Sequence, residues 1–314
     1  MATAEQQIIE SEITGDYAIY NGDCVEVVSG IPDNSVGYSV FSPPFAEMYA
    51  YSDSERDMGN SRDYGQFFKQ FGFLVEQLQR VMMPGRVVSA HCIDIPAMKE
   101  RDGYIGIKDF PGDIIRLFQE NDFIYHSRHC IWKDPLTEAT RTKALGLMHK
   151  QLCKDSTRCR SGLPDYVVSF RKKGDNELPV SHPDGLMEYA GAVDPGGVGV
   201  KRSHNIWRQY ANPVWMDIRQ GNTLNKAIAR EDKDQKHICP LQLDVIERCI
   251  TLWSREGDVV LSPFAGIGSE LYVAIKRHRM AVGVELKTAY YNVAVANCKK
   301  AVDERAHGQN LLFD

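Results

Sequence analysis

Val259-Val260-Leu261-Ser262-Pro263-Phe264-Ala265-Gly266-Ile267-Gly268-Ser269 is a strand, a break and the start of a helix in quick succession. The aliphatic run at its head reads as a buried strand. Pro263 ends it, because proline has no N–H to give to a ladder. Gly266 and Gly268 lack a Cβ, so the chain can turn tightly there and a ligand can approach the backbone. A helical pattern continues to Lys276, and a second strand, Ala281-Val282-Gly283-Val284, closes on the acid Glu285. A carboxylate roughly 20 residues beyond a glycine-rich turn, at the end of the next strand, can accept both hydroxyls of a ribose. That is the layout of nucleotide-type cofactor binding at the carboxyl ends of parallel strands.

The dinucleotide fingerprint would require a third glycine, but Ser269-Glu270-Leu271 stands in its place. No tight phosphate cradle is evident at this helix start. A ligand with a ribose and no phosphate fits better than a nicotinamide dinucleotide, and S-adenosyl-L-methionine is such a ligand.

Far upstream, Val36-Gly37-Tyr38-Ser39-Val40-Phe41 reads as another buried strand and stops at Ser42-Pro43-Pro44-Phe45. Neither proline can extend a central strand, yet both carbonyls stay free and rigidly held. Ser42 precedes a proline and is kept extended. The stiff loop presents a hydroxyl, a backbone acceptor and a flat ring face, which suits a grip on an amino group of a planar heterocycle. Taken alone, Pro-Pro is equally a common strand-ending turn.

Between these stretches strands and helices alternate, as in a layered α/β domain. Strand patterns cover 17–20, 86–92 and 123–132, with 166–170 as a hairpin partner of the last. Helical patterns cover 25–31, 64–83, 110–119, the stretch after Pro240, and 288 to about 302. Phe67, Phe68, Phe71, Leu74, Val75, Leu78, Val81 and Met82 give the helix at 64–83 its apolar face. Residues 1–15 read as a frayed polar lead. Pattern weakens over 134–164 and 172–236, where Trp207 and Trp215 argue for order as core of that region.

The 314 residues are 43% hydrophobic and 25% charged, an ordinary soluble globular composition. No apolar run reaches membrane-spanning length, and the N-terminus does not read as a signal peptide. Eight cysteines without CxxC spacing suggest the reduced thiols of a cytosol. His126, His129, Cys130, His149, Cys153 and Cys159 are neighbours in sequence but lack metal-ligand spacing, so no metal is expected. A net charge of −5 does not advertise a polyanion partner. Locally, Arg141, Lys143, Lys150, Lys154, Arg158, Arg160, Arg171, Lys172 and Lys173 outnumber Asp155 and Asp165. That excess reads either as a solvated loop or as a surface that tracks phosphates.

Ser42-Pro43-Pro44-Phe45 together with Phe264-Ala265-Gly266-Ile267-Gly268 resembles the DNA amino-methyltransferases, which modify the exocyclic nitrogen of cytosine or adenine. Catalytic motif first and cofactor motif last resembles their permuted beta group. Gly22-Asp23-Cys24 with Ile31-Pro32-Asp33-Asn34-Ser35-Val36 is similar to that group's opening. Lys236-His237-Ile238-Cys239-Pro240 resembles the element before its cofactor half. The likeness covers about residues 17–133 and 236–303. Ser262 stands where the family usually has an acid, and Cys239 breaks its usual His-Pro pairing.

The resemblance implies a Rossmann-like class I methyltransferase fold: a mostly parallel sheet with one antiparallel hairpin strand, in circularly permuted order. It implies a catalytic half at 1–133, a target-recognition region at 134–235 with strand 166–170 returning to the sheet, and a cofactor half at 236–314. S-adenosyl-L-methionine would be held by Asp23, Cys24, His237, Pro263, Phe264, Ala265, Gly266, Gly268, Ser269 and Glu285. Ser42, Pro43, Pro44 and Phe45 would form the catalytic loop. Arg141, Lys143, Lys150, Lys154, Arg158 and Arg160 would contact double-stranded DNA. For Asp23 a simple Asx turn is an equal expectation. Serine in the first motif position leans the target toward cytosine N4, with adenine N6 as the alternative. An RNA or protein methyltransferase, or a silent cofactor-binding module on DNA, also stays open. A homodimer, a cognate restriction endonuclease and the cytoplasm of a bacterial or phage-infected cell complete the expectations.

Overall fold

The computed structural model describes residues 8–44, 58, 64–142, 146–182, 185–186, 198–224 and 240–310. Phe45, Lys143 and His237 lie outside the described residues, as does the side chain of Arg141. In chain order the elements are β1 (Glu10–Ile13), β2 (Tyr17–Asn21), α1 (Cys24–Ser29), β3 (Val36–Phe41), α2 (Tyr64–Val81), β4 (Met82–Ile93) and β5 (Ile95–Ala97). Then come α3 (Lys99–Asp102), β6 (Gly106–Lys108), α4 (Phe110–Glu120), β7 (Phe123–Ile131), α5 (Pro135–Thr142), α6 (His149–Leu152) and β8 (Asp165–Lys172). The chain closes with α7 (Val198–Ala211), β9 (Val214–Trp215), α8 (Leu243–Trp253), β10 (Val259–Ser262), α9 (Ser269–Lys276), β11 (Met280–Glu285) and α10 (Thr288–Asn310). No helix among the described residues is long and apolar enough to cross a membrane.

A nine-stranded sheet in the order β1-β2-β11-β10-β3-β4-β8-β7-β9 organises the chain. The pairs from β2 across to β4 are parallel, while β8 runs antiparallel between β4 and β7. Every residue of β3 is buried, as expected of a central strand covered on both faces. On one face Phe67, Phe71, Leu74 and Leu78 of α2 and Phe110 and Phe118 of α4 pack on Phe41, Val88 and Phe170. The Phe118 and Phe170 rings stack at 4.0 Å. On the other face Val245, Ile246 and Ile250 of α8, Leu271 and Ala274 of α9, and Ala294 of α10 cover Tyr38, Val40 and Val260. The chain moves outward in opposite directions from β10 and from β3, so the crevice beyond their carboxyl ends is a topological switch point, where open α/β sheets bind ligands.

The structure departs from the sequence pattern in four places. The lead expected to fray forms β1, pairing Glu10 with Asn21 and Ile13 with Ala18. Edge pairing through the backbone leaves little trace in side-chain pattern, and Lys299 meets Glu12 at 2.9 Å beside it. Pro84-Gly85, expected to precede the strand, sits inside β4, where the register jumps from Val36/Met82 to Tyr38/Val87 and Gly85 takes φ 72°. The weakly patterned 134–164 holds the short helices α5 and α6. Trp215 is fully buried, stacked on His129 at 4.5 Å, but Trp207 is 56% exposed on α7.

The pair of Arg86 and Asp258 lies inside the core. Arg86 Nη2 donates to Asp258 Oδ1 at 2.8 Å, with side-chain exposures of 1% and 5%. Gly37 makes the room, since a Cβ there would sit 2.8 Å from Asp258 Cγ. Arg86 Nε and Nη1 find no hydrogen-bond partner among the described residues. Asp258→Ala would strand this guanidinium, and the protein is expected to lose about 3–5 kcal/mol in urea unfolding. Arg86→Met added to that variant is expected to recover most of the loss, because an apolar replacement of both partners is often neutral.

Candidate active site

The two motif loops meet because their strands are neighbours. Val260 and Leu261 of β10 lie beside Tyr38 and Ser39 of β3 in parallel register. Ser39 Oγ locks that register by donating to Leu261 O at 2.9 Å. Ser42-Pro43-Pro44 and Phe264-Ala265-Gly266 therefore leave the sheet at the same edge, and the Phe41 and Phe264 rings touch at 5.7 Å. Glu285 ends β11 at this edge as well, opposite Asn21 of β2, with Asp23 just beyond.

The glycine loop is built for close approach. Gly266 (φ 53°) and Gly268 (φ 82°) are left-handed, and a Cβ on Gly268 would come within 3.1 Å of Ala294. A Cβ on Gly266 would meet nothing within 4 Å among the described residues. Glu285 holds the loop: its Oε2 accepts from Gly266 N at 2.8 Å and its Oε1 from Lys287 N at 2.9 Å. Ser262 Oγ and Ser269 Oγ are buried without a hydrogen-bond partner among the described residues. Unpaired buried hydroxyls are costly, so these two point to a polar ligand laid over the loop. Pro263 and Ala265 are buried beneath it, and Phe264 is half-buried. Burial pushes the Glu270 carboxyl up to about 8, and Glu285 adds to the shift against a backbone N–H. Glu270 thus stays neutral near pH 7 and leaves Glu285 the only negative charge of the pair.

At the β2 end, Asp23 caps α1, its Oδ1 accepting from Val25 N at 2.9 Å and Glu26 N at 3.1 Å. Cys24 is buried, and burial drives its thiol well above the usual range, so it presents backbone and not a thiolate. Asn21, not anticipated from sequence, donates from Nδ2 to Glu285 O and Leu286 O at 2.9 Å each and accepts from Thr288. A fully buried asparagine at a strand end was its only signal.

In the loop after β3 Pro43 is buried, and Ser42 and Pro44 are half-buried. Ser42 Oγ lies 2.9 Å from His91 Nδ1 at the end of β4, and 3.4 Å from His91 O. His91 Nε2 faces Asp165 Oδ2 at 3.3 Å, an ion-pair approach without full hydrogen-bond alignment. Lys133 Nζ holds the other oxygen, Asp165 Oδ1. Burial works against the charge of Asp165, but His91 and Lys133 outweigh it and hold the carboxyl below its usual range.

The basic segment joins β7 to β8. Ile93, Asp165 and Ile131 lie in one register row, so this connection emerges at the edge that carries Ser42. Lys150, Lys154 and Arg158 are exposed there. Arg160 instead pairs with buried Glu138 at 3.2 Å, which ties its guanidinium to the fold.

A model of a DNA methylase family, covering both N6 and N4 methyltransferases, matches residues 36–296. The type II methyltransferase M.BglII of Bacillus subtilis is 24% identical over 305 residues, 93% of this chain and 72% of that protein. M.MjaI, a type II methyltransferase of Methanocaldococcus jannaschii, is 22% identical over 88% of each chain. Among solved structures, TTHA0409 of Thermus thermophilus complexed with S-adenosyl-L-methionine superposes with a TM-score of 0.63, at 22% identity over 90% of this chain and 92% of that one. PvuII DNA methyltransferase, cytosine-N4-specific, gives 0.54 at 15% identity over 93% and 92%. With most of its length inside the family match and both motif loops at one sheet edge, the chain belongs to the N6/N4 family of DNA methylases.

Proposed function

We propose that this protein moves a methyl group from S-adenosyl-L-methionine to the exocyclic N4 of a cytosine flipped out of double-stranded DNA. The observation that carries it is the shared edge: β3 and β10 end side by side, one leading into Ser42-Pro43-Pro44 and the other into a glycine loop backed by Glu285. S-adenosyl-L-methionine supplies a methyl made electrophilic by its sulfonium. Glu285 would take the ribose hydroxyls. Ser262 and Ser269 offer unpaired hydroxyls, and Asp23, Cys24, Pro263, Phe264, Ala265 and Gly268 would shape the remaining contacts.

An aryl amine is a poor nucleophile because its lone pair is delocalised into the ring. Ser42 Oγ and the Pro43 carbonyl, aimed at its two N–H bonds, favour a pyramidal nitrogen and return that lone pair. Positioning and preorganised acceptors then supply much of the rate. The base cannot react inside a stacked duplex, hence the flipping. Lys150, Lys154 and Arg158 would hold phosphates, which positions the duplex without specifying sequence. Serine in the first motif position favours cytosine over adenine, as the resemblance implies. The relatives are type II methyltransferases, which supports a restriction endonuclease of matching specificity as a second partner.

The test is to express the chain in a bacterial strain free of DNA methylation and sequence the modified bases. N4-methylcytosine within one short motif is expected. N6-methyladenine would overturn the choice of base alone. An unmodified genome, with radiolabelled methyl going to RNA or protein, would overturn the DNA substrate.

A further inference from the structure

We propose that His91, oriented by Asp165, fixes the Ser42 hydroxyl as an acceptor toward the target amine and receives through it the proton that the amine sheds on methylation. The inference deepens the function proposed above and rests on Ser42 being half of the amine grip. Ser42 follows β3, His91 lies near the end of β4, and Asp165 opens the antiparallel β8, so the three meet at the site edge. His91 and Asp165 are 8% and 2% exposed, and the Lys133 side chain 18%.

A carboxylate only accepts, so in the neutral ring the proton sits on Nε2, toward Asp165 Oδ2. Nδ1 is then a bare acceptor, and the hydrogen of the 2.9 Å contact must come from Ser42. A serine hydroxyl can ordinarily turn either way. With its hydrogen committed to His91, its lone pairs are what the cleft sees, and Ser42 behaves toward an amine as a carboxylate or amide oxygen would.

The same contacts carry the proton out. As the amine nitrogen bonds to the methyl carbon, the carbon–sulfur bond of the donor breaks and its electron pair leaves with sulfur. The nitrogen, now cationic, releases one proton to Ser42 Oγ, keeping the N–H electron pair. Ser42 passes its own hydrogen to His91 Nδ1. The resulting imidazolium donates from both nitrogens, to Ser42 and to Asp165, until water removes the extra proton. Lys133 holds the other oxygen of Asp165, so the carboxylate is fixed in place beside His91. A resting imidazolium would donate to Ser42 and turn its O–H toward the amine, the wrong polarity. Among the described residues, the groups facing His91 include Ser42 just after β3, Asp165 from β8 and Lys133 from beyond β7. On α8, over the same sheet face, Arg248 is spent on Asp217, and along β4 the next acid is Asp94.

Single-turnover transfer of radiolabelled methyl from S-adenosyl-L-methionine to unmethylated bacterial genomic DNA, from pH 5.5 to 9, tests this. The wild type should show an acid limb, losing rate as His91 protonates. His91→Asn keeps an acceptor for the Ser42 hydrogen but takes up no proton, so it should run ~10-fold slower with no acid limb, whereas His91→Phe should lose ~100-fold or more. Lys133→Met frees one oxygen of Asp165 and should slow transfer less than His91→Phe does. Donor affinity by calorimetry should be unchanged in all three, which also shows that each is folded. A His91→Phe rate within twofold of wild type, or an acid limb that persists in His91→Asn, overturns the relay. Failure of the wild type to methylate DNA, or full activity of Ser42→Ala, overturns the function proposed above instead.

Discussion

Glu285→Ala binds S-adenosyl-L-methionine ~10²–10⁴-fold more weakly than the wild type, since two hydrogen bonds to a charged acceptor are worth about 1.5–3 kcal/mol each. Calorimetric titration of the protein without DNA measures this directly. The carboxylate does two jobs at once. Toward the protein it ties Gly266 N and Lys287 N at 2.8 and 2.9 Å, fixing the turn that leaves the loop open. Toward the ligand it would accept from the ribose hydroxyls. Glu285→Gln keeps the shape and one acceptor, and is expected to fall between the two. The fold should tolerate either change, because Asn21 holds the β11 end through the backbone carbonyls of Glu285 and Leu286. An affinity within threefold of wild type for Glu285→Ala would place the ribose elsewhere.

The sequence announced the strand ends but not their order across the sheet. Pro263 and Pro43 each mark where a strand must stop, and a proline's missing N–H acts locally, so both loops were legible. That β10 lies against β3, far away along the chain, depends on register contacts such as Ser39 to Leu261, which no local pattern encodes. His91 and Asp165 were hidden for the same reason. Each is a single polar residue on a separate strand, and only the antiparallel insertion of β8 brings them together. Asp165 counted as one more loop charge until the fold buried it. Arg160 illustrates the converse: charge in a basic run says nothing of a partner, and Glu138, which precedes it in α5, claims its guanidinium. Composition also suggested Trp207 as core, yet a helix exposes whichever ring its neighbours leave uncovered.

Ser42→Ala is expected to slow single-turnover methyl transfer by ~10²–10³, the usual cost of deleting one preorganised donor or acceptor at a reacting centre. Donor affinity should stay within a factor of two or three, because Ser42 follows β3, whereas the proposed donor contacts lie at the ends of β2, β10 and β11. That separation is the diagnostic. A residue that merely supports the fold would lower rate, affinity and stability together, whereas an acceptor acting only as the nitrogen becomes pyramidal lowers rate alone. Some activity should survive, since the Pro43 carbonyl is backbone and still accepts one N–H. Ser42→Cys sharpens the point, for a thiol fills the space but accepts weakly; it should resemble alanine in rate while matching the wild type in stability. If cysteine restored the rate, volume at the end of β3 would be what matters, and the hydroxyl's lone pairs would have no part in activating the amine.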